Sequence, residues 1–339
     1  MAIKSILIAR TDKIGDLVLS VPSFYMIRKM YPSVKLGVLV RNYNYGIVKN
    51  LPYIDEVIKI DDYEEKALVK KIKAFQADAF VALFSNSFVA KLARKSGASI
   101  RVGPYSKISS FFAYNRGLRQ KRSVSVKNEA AYNLDLVRSL DPSRFDNCYE
   151  VNTNIFYEKS HAAVAQQFLK ENDISGKILI VHPFMGGSAK NITDDQYVAL
   201  QQKIVEKFPG ITIIITCAKP DEVRALAMQK KLNYLKVFVF ANEGSLLNLA
   251  ALIDQGNVYI GSSTGPTHIA GSLGKKIIAL YPAKASQSPT RWGVFGDQAD
   301  VDYVIPDQDN PQENYRNPFF ESYGEVQQQQ FLNFLTEKW

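Results

Sequence analysis

Residues 259–282 place small hydroxyl side chains, glycine and proline where an apolar run gives way to a short helix. The pattern predicts a buried strand that ends near Gly261, and a helix that begins at Gly265 and Pro266 and ends at Gly274. Proline suits the first helical turn because its missing N–H would be unsatisfied there anyway. The helix N-terminus then points out of the carboxyl edge of a parallel sheet with free N–H groups. This arrangement predicts an anion site, typically for phosphate, although an ordinary strand-to-helix turn shows the same pattern.

Apolar runs alternate with helical stretches along both halves of the chain, which predicts parallel sheets with helices on both faces. In the first half, strands are predicted at 5–9, 35–40, 57–60 and 79–84. A helix is predicted from about Asp16, and Pro22 should bend it or end its first turn. In the second half, the runs KILIVHPF, ITIIIT, VFVF and VDYVI read as strands, and 321–339 reads as a final helix.

Residues 101–127 break this alternation, because aromatic and basic side chains replace the regular apolar period. We interpret the segment as rich in loops. It is either a patch that binds an acceptor molecule or a membrane surface, or an irregular connection that is merely solvated.

Length and composition limit the possible classes of protein. A chain of 339 residues suits two domains, and 46% hydrophobic residues suffice for two cores. Apolar runs are too short for a membrane-spanning helix, and the N-terminus lacks a signal-peptide pattern. Cys148 and Cys217 form neither a disulfide framework nor a metal-binding spacing, which is typical of a cytoplasmic protein.

The net charge of +9 is concentrated in the first half of the chain. Residues 1–150 carry 25 Lys and Arg against 14 Asp and Glu, whereas the remainder carries 17 against 19. The first half is therefore expected to face an anionic partner: a phosphorylated substrate or a membrane surface. Nucleic acid is disfavoured because the basic residues are spread over several helices and no binding motif is present. A basic face that is only solvated is the alternative.

Four motifs, in this order and spacing, resemble glycosyltransferase family 9, the bacterial ADP-heptose–lipopolysaccharide heptosyltransferases: RTDKIGDLVLSVP, VHPFMGGSAK, SLLNLAALI and STGPTHIAGSLGKKIIALYP. The absence of a G-x-G-x-x-G turn disfavours a dinucleotide dehydrogenase. The resemblance implies an α/β protein of GT-B type, with two Rossmann-like parallel-sheet domains facing a central cleft. It implies an acceptor-binding domain over 1–155, a nucleotide-sugar-binding domain over 156–320, and a C-terminal helix over 321–339 that packs back on the first domain. It also implies inverting transfer without a metal or cofactor.

The resemblance assigns Asp16 as the base that takes a proton from the acceptor hydroxyl. Such a base must lie within hydrogen-bond reach of that hydroxyl. Asp16 would alternatively cap the helix that starts near it, since Asp is a good N-cap. Asp12 is the competing acid and is interpreted as a solvated loop residue. Arg10 and Lys13 are basic enough to hold Asp16 ionised, and both are assigned to acceptor binding.

The donor side is also assigned through the resemblance. Lys190 matches the family's lysine that neutralises the diphosphate, and the adjoining glycine turn would let backbone N–H groups approach the same phosphates. A plain surface loop is the alternative. The donor-binding residues are Gly186, Gly187, Ser188, Lys190, Glu222, Ser263, Thr264, Gly265 and His268. His268 is as well explained by a structural role, His182 is expected to order its turn, and Asp221 or Glu222 equally suits the first turn of a helix.

The acceptor side is assigned to the basic, aromatic segment, with Arg116, Arg119, Lys121 and Arg122 as contacts. The expected partners are a nucleotide-diphosphate sugar donor, a lipid-linked saccharide acceptor and an anionic membrane surface, with no nucleic acid. The resulting location is cytoplasmic, at the inner face of the inner membrane.

The sequence departs from the family pattern at three positions. Ser263 replaces the acid that usually contacts the sugar, Asn191 replaces a bulky residue, and Asn128 stands where histidine is common. The first change weakens the inference of heptose but not of glycosyl transfer. The alternatives are a nucleotide-sugar epimerase of the same fold, and an inactive nucleotide- or lipid-binding relative. An epimerase would need an acid where Ser263 stands, and the presence of Asp16 and Lys190 argues against an inactive protein.

Overall fold

The computed structural model describes residues 3–105, 108–187, 189–232, 236–297, 299–310 and 312–339, with only the backbone described at 108 and 109. Within these ranges the chain divides into two compact units, Met1–Phe156 and Tyr157–Trp339. No helix in the described ranges is both long enough and apolar enough to cross a bilayer.

The first unit is a six-stranded parallel sheet with strand order β3-β2-β1-β4-β5-β6. Its strands are β1 (Ser5–Ala9), β2 (Lys35–Val40), β3 (Glu56–Lys59), β4 (Ala79–Ala82), β5 (Ile100–Pro104) and β6 (Arg116–Leu118). Its helices are α1 (Ile14–Val18), α2 (Val21–Met30), α3 (Gly46–Lys49), α4 (Glu65–Ala74), α5 (Ser87–Lys95), α6 (Ile108–Ala113), α7 (Glu129–Arg138) and α8 (Pro142–Cys148), with 3-10 turns at Asn42–Asn44, Ile60–Asp62 and Arg122–Val124.

The second unit repeats this topology, with strand order β12-β11-β10-β7-β8-β9, again all parallel. Its strands are β7 (Ile178–Val181), β8 (Thr212–Ala218), β9 (Val237–Asn242), β10 (Val258–Ser262), β11 (Lys276–Leu280) and β12 (Val301–Val304). Its helices are α9 (Lys159–Glu171), α10 (Asp194–Lys207), α11 (Glu222–Lys231), α12 (Leu246–Gln255), α13 (Gly265–Ser272), α14 (Pro289–Trp292) and α15 (Glu325–Lys338), with 3-10 turns at Lys219–Asp221 and Ala285–Gln287. The predicted α/β class with two Rossmann-like parallel sheets is confirmed.

In each unit the strand order reverses once, between β1 and β4 in the first sheet and between β7 and β10 in the second. The central strands β1, β4, β7 and β10 are largely apolar, and they are buried throughout. This is the pattern of parallel strands covered on both faces. Loops that leave the carboxyl ends of two strands at such a reversal diverge, and the crevice between them is where open α/β sheets bind ligands.

The first helical stretch begins earlier than predicted and is interrupted. α1 starts at Ile14 rather than Asp16, and a break at Leu19 and Ser20 separates it from α2. Pro22 lies in the first turn of α2, where the missing N–H costs nothing, so it marks a helix start rather than a bend.

The interpretation of residues 101–127 as loop-rich is wrong, because they supply β5, α6 and β6. Two tyrosine rings pack directly on glycines of these strands. A Cβ at Gly103 would lie 2.5 Å from the Tyr114 ring, and a Cβ at Gly117 would lie 1.9 Å from the Tyr105 ring. The glycines therefore let aromatic side chains cover the sheet edge where a regular apolar period is missing.

The C-terminal helix packs on the second unit, which corrects the prediction that it returns to the first. Phe331, Phe334 and Leu335 of α15 are buried in the same core as strands β7, β8, β10, β11 and β12. The helix contacts α10, β11 and β12. Its apolar face thus completes one side of the second sheet.

Candidate active site

The loop that follows β1 carries a fully buried arginine at the strand-order reversal of the first sheet. Arg10 comes directly after β1, and its side chain is 1% exposed. Its backbone N–H donates to the Leu39 carbonyl at 3.1 Å, which extends the β1–β2 ladder by one residue. Its guanidinium nitrogens all donate to protein oxygens, so the group acts as the centre of a cluster.

Two aspartates bind the same edge of this guanidinium. Arg10 Nε donates to Asp12 Oδ1 and Nη2 donates to Asp16 Oδ1, each at 2.6 Å. The side chains are 16% and 14% exposed, so both carboxyl groups border solvent. The Asp12 carbonyl in turn accepts hydrogen bonds from Tyr43 Oη and from Asn44 Nδ2, which hold the loop in place.

The opposite side of the cluster comes from α7. Arg10 Nη1 donates to Glu129 Oε1 at 2.8 Å and to Asn133 Oδ1 at 3.1 Å. Glu129 is 2% exposed and also accepts from Arg122 Nη1 at 2.6 Å. We call the five charged residues Arg10, Asp12, Asp16, Arg122 and Glu129 the Arg10 cluster.

Burial and charge act against each other in this cluster. Burial disfavours the charged form of Arg10, but Asp12, Glu129 and Asp16 outweigh it and raise the pKa of Arg10 above its ordinary value. Burial has the larger effect on Asp12: it raises the pKa of that carboxyl to about 7, although Arg10 acts in the opposite direction. The Asp12 side chain is only 16% exposed and pairs with Arg10, so its interpretation as a solvated loop acid is wrong.

Asp16 does not cap a helix, so the capping alternative is also wrong. The N-cap position of α1 belongs to Lys13, and Asp16 lies in the first turn with its carboxylate on Arg10. Arg10 is placed as predicted beside Asp16. Its assignment to acceptor binding is corrected, because its donors are taken up by protein oxygens and its side chain is inaccessible. Lys13 is exposed at the start of α1.

The basic residues assigned to the acceptor divide into two groups. Arg122 belongs to the Arg10 cluster and also donates to Gln120 Oε1, so its role is at least partly structural. Arg116, Arg119 and Lys121 are exposed. Arg116 donates to the Leu140 carbonyl at 3.2 Å, and Arg119 lies over the Phe111 ring at 5.7 Å.

In the second unit, α13 starts immediately after β10, as the sequence predicts, with Gly265 as its first residue. Thr264 occupies the N-cap position, and its side chain makes no capping hydrogen bond, so the first N–H groups of the helix are not covered by it. Thr267 Oγ1 instead donates back to the Ser262 carbonyl at 2.5 Å, which fixes the turn.

Two polar atoms beside this turn are buried without a hydrogen-bond partner among the described residues: Nδ1 of His268 and Oγ of Ser262. His268 is 5% exposed, and burial lowers its pKa to about 4. The imidazole is therefore neutral at physiological pH.

The glycine turn after β7 lies at the same sheet edge. β7 and β10 are paired neighbours, and the His182 N–H donates to the Ile260 carbonyl at 2.8 Å. Gly187 has a φ of 72°, a left-handed conformation that favours glycine. A Cβ at Gly186 or Gly187 would meet no described atom within 4 Å, so this turn is open. Ser188, the third residue of the predicted turn, lies outside the described residues.

Lys190 is buried in an ion pair that the sequence does not reveal. Its Nζ lies 2.7 Å from Glu313 Oε1 and donates to the Asn314 carbonyl at 2.8 Å. The two side chains are 2% and 0% exposed. Lys190 is thus not part of a plain surface loop, but its charge is already balanced within the protein.

The remaining predicted residues, Glu222, Ser263 and His182, each lie at the start of a helix or directly after a strand. Glu222 begins α11 and forms an ion pair with Lys219 at 3.0 Å. Ser263 follows β10 and is half-buried. His182 Nδ1 is 2.9 Å from Thr216 Oγ1, which joins the residue after β7 to the neighbouring strand β8. Among the described residues, no group of three His, Cys, Asp or Glu side chains is arranged to hold a metal ion.

Three residues of these sites were missed by sequence reasoning: Glu129, Asn133 and Glu313. Glu129 is in the first turn of α7, where an acid is favoured by the helix dipole and gives no sign of burial. Asn133 lies one turn further along the same helix face, so a polar pair at this spacing in an apolar helix was the available signal. Glu313 lies in an irregular segment without periodicity, where no local signal exists.

Comparison with known proteins supplies a family. The protein family described as "Glycosyltransferase family 9 (heptosyltransferase)" matches this chain over residues 66–319. A provisionally assigned glycosyltransferase of Haemophilus influenzae is 33% identical over 302 residues, which cover 87% of each chain. Lipopolysaccharide heptosyltransferase 3 of Escherichia coli is 22% identical over 281 residues, 79% of this chain and 81% of the relative.

A solved structure shows the same fold. The ADP-heptose lipopolysaccharide heptosyltransferase II of Escherichia coli is 14% identical and has a TM-score of 0.78, with 98% of both chains covered. At this identity the likeness concerns the fold alone.

Proposed function

The chain belongs to glycosyltransferase family 9, and on this premise we propose that it transfers heptose from ADP-heptose to a lipid-linked saccharide of the lipopolysaccharide-core type, with inversion and without a metal ion. The single observation that carries the proposal is the Asp16 carboxylate, held on buried Arg10 at the strand-order reversal while bordering solvent. A carboxylate that hydrogen bonds orient and that an acceptor hydroxyl can reach is what a general base requires.

The reaction divides between the two units. In the first, Asp16 takes the proton from the attacking hydroxyl of the acceptor. The oxygen then bonds to the anomeric carbon from the face opposite the diphosphate, the bond from that carbon to the phosphate oxygen breaks, and the configuration inverts. In the second, the free N–H groups at the start of α13 and the backbone of the open glycine turn stabilise the negative charge of the departing diphosphate.

The donor assignment rests on the turn between β10 and α13. His268 Nδ1 and Ser262 Oγ are buried without partners in the described part of the chain, at a helix start that suits phosphate. Neutral His268 can donate or accept one hydrogen bond there without adding a charge. Heptose as the transferred sugar is supported by the relative named lipopolysaccharide heptosyltransferase 3, and ADP as its carrier is what the family resemblance implies. Ser263 stands where the family pattern usually has an acid that contacts the sugar, so that contact is made here without a carboxylate.

We expect ADP and ADP-heptose to stabilise the protein in the presence of EDTA, because the phosphate groups meet backbone donors rather than a metal. Ligand at one hundred times its Kd adds about 2.7 kcal/mol to the free energy of unfolding. Thermal unfolding with ADP-, UDP- and GDP-sugars, each with EDTA or with magnesium, measures this. Stabilisation by a UDP- or GDP-sugar alone would reassign the donor, and stabilisation that requires magnesium would contradict the metal-free mechanism.

The acceptor and the membrane are proposed to meet the exposed part of residues 111–126. Phe112 is 75% exposed, Val126 is 66% exposed, and Arg116, Arg119 and Lys121 are exposed nearby in sequence. Exposed aromatic and basic side chains together suit the interface of an anionic membrane, because apolar groups enter the boundary while cations meet the head groups.

Changing Arg116, Arg119 and Lys121 together to glutamine should weaken binding to vesicles that contain phosphatidylglycerol by about one hundred-fold. Each basic residue near an anionic membrane contributes about 1 kcal/mol, and about 1.4 kcal/mol corresponds to a factor of ten. The triple variant should also raise the KM for the acceptor and leave the KM for the donor unchanged.

The matched control changes Lys66, Lys70 and Lys73 of α4 to glutamine, which removes the same charge from exposed positions elsewhere in this unit. Arg122 stays in both variants because it supports Glu129. Equal losses of vesicle binding in the two variants would show that net charge, rather than this segment, attracts the membrane.

A further inference from the structure

The edge of the Arg10 guanidinium that carries Nε and Nη2 normally binds both oxygens of one carboxylate. Here it binds one oxygen from each of two carboxylates, Asp12 Oδ1 and Asp16 Oδ1, both at 2.6 Å. Because the two parallel donors of this edge are close together, the two acceptor oxygens must also be neighbours. Each aspartate keeps a second oxygen that Arg10 does not bind.

The charge of the Arg10 cluster favours one bound proton. Two guanidinium groups, Arg10 and Arg122, face three carboxyl groups, Asp12, Asp16 and Glu129. With every group ionised, these five residues carry a net charge of −1 in a site that is largely buried. Two carboxylates that share one position cannot both ionise freely, so a pair of this kind takes up a proton together.

We propose that Asp12 and Asp16 act as a single proton acceptor in the transfer reaction, with Arg10 holding them side by side. This inference rests on the proposed function and adds Asp12 to it as a residue that acts through Asp16. In the reaction, the O–H bond of the acceptor breaks and its proton goes to the carboxylate pair. The acceptor oxygen bonds to the anomeric carbon. The bond between that carbon and the phosphate oxygen breaks, and its electron pair leaves with the diphosphate.

The chemical advantage of the pair is a stronger base. A lone carboxylate on an arginine has a pKa well below neutrality and holds a proton weakly, whereas the efficiency of a general base is highest when its pKa lies near the working pH. The pKa of Asp12, raised to about 7, fits this requirement. The titratable and charged groups around the pair come from several elements. They are Arg10 after β1, Lys13 at the N-cap of α1, Arg41 and Tyr43 of the loop after β2, Asp61 of the 3-10 turn after β3, Glu129 of α7 and Arg122 of the 3-10 turn before α7.

The test compares the pH dependence of kcat in the wild type, Asp12→Asn and Asp61→Asn. Asn keeps the oxygen that accepts from Arg10 Nε, so the variant removes the proton site without removing the hydrogen bond. We expect the acid limb of the wild-type profile to lie near pH 7 and to move down by at least about one pH unit in Asp12→Asn, with kcat at high pH reduced roughly ten-fold. The donor KM should stay unchanged.

Asp61→Asn is the matched control, since Asp61 binds Arg41 Nη1 in the adjoining loop rather than Arg10. It should retain the wild-type profile. If Asp12 only positions Arg10, Asp12→Asn would change the height of the profile and leave its acid limb in place, and the proposal would be overturned.

A second measurement does not depend on transfer activity. NMR titration of the full-length protein with ¹³C-labelled aspartate should show one carboxyl group, assigned to Asp12, that titrates near pH 7 and moves to lower pH in Asp16→Asn. An Asp12 signal that ignores this substitution would show that the two groups do not share a proton. If the titrations of Asp12 and Asp16 are coupled but the protein transfers sugar from no nucleotide-diphosphate sugar, the proposed function fails and the shared proton site stands.

Discussion

Asp16→Asn should reduce kcat by about 10²–10⁴, the range typical for the loss of a general base. Asparagine retains an oxygen that can accept the hydrogen bond from Arg10 Nη2, but it cannot take up a proton from a hydroxyl group at neutral pH. The nucleotide affinity should remain unchanged, because the proposed donor site belongs to the second unit. Steady-state kinetics with a saturating donor, alongside ADP binding by calorimetry, measures the two effects separately.

The stability of this variant should fall modestly. Asp16 gives Arg10 a charge-assisted hydrogen bond at 2.6 Å, and a contact of this type contributes about 1.5–3 kcal/mol. Asp16→Asn keeps part of this contribution, whereas Asp16→Ala removes all of it. The Asp16→Ala variant should therefore unfold at a lower temperature than Asp16→Asn, and the kcat values of the two variants should be similar. If Asp16→Asn turns over at nearly the wild-type rate, the catalytic base lies elsewhere, and Asp12 would be the next residue to replace.

The second large effect concerns folding rather than turnover. Lys190→Met leaves the Glu313 carboxylate, which is 0% exposed, without its cation. Removing one partner of a buried ion pair destabilises a protein by about 3–5 kcal/mol. The double variant Lys190→Met/Glu313→Gln removes both charges and should recover part of this loss, since Asn310 and Ser322, which donate to Glu313 Oε2, can still donate to an amide oxygen at that position. The recovery is partial because the Glu321 N–H, which donates to Glu313 Oε1, then faces the amide NH2 group. Urea unfolding of both variants measures the difference.

The folded double variant also tests the predicted contact between Lys190 and the diphosphate. ADP binding that is weakened by about ten-fold or more in this variant would support the contact, whereas an unchanged affinity would assign Lys190 to folding alone. A single variant that is as stable as the wild type would contradict the burial of the ion pair.

The fold was largely predictable because the central strands are largely apolar. Runs such as Ser5–Ala9 and residues 212–217 are buried on both sides, so composition alone identifies them. β5 and β6 were missed because they are short and contain arginine and glycine, and the tyrosines that cover them come from neighbouring segments. The helix α15 was recognised, but an amphipathic pattern shows that one face is buried and not which sheet buries it.

The candidate site was predictable only in part, for a related reason. Asp16 and the turn at Thr264 were found because each lies in a motif that is continuous in sequence. The partner of Lys190 was not, since Glu313 lies in a segment without periodicity and the ion pair forms only after folding. Asp12 was misjudged because a loop acid beside an arginine reads as solvated, whereas Tyr43 and Asn44, which hydrogen-bond to it, come from a loop about 30 residues further along the chain.

The Arg10 cluster also constrains the order in which the first unit can fold. The hydrogen bonds from Arg10 to Glu129 and Asn133 close loops of 119 and 123 residues, and contacts between such distant residues form late because the entropy of the whole intervening chain opposes them. β1, β2 and α2 can associate soon after they leave the ribosome. Arg10 then remains without its α7 partners until α7 has been made and has docked. A nascent chain that stops before Glu129 therefore contains both aspartates and Arg10 but no assembled Arg10 cluster.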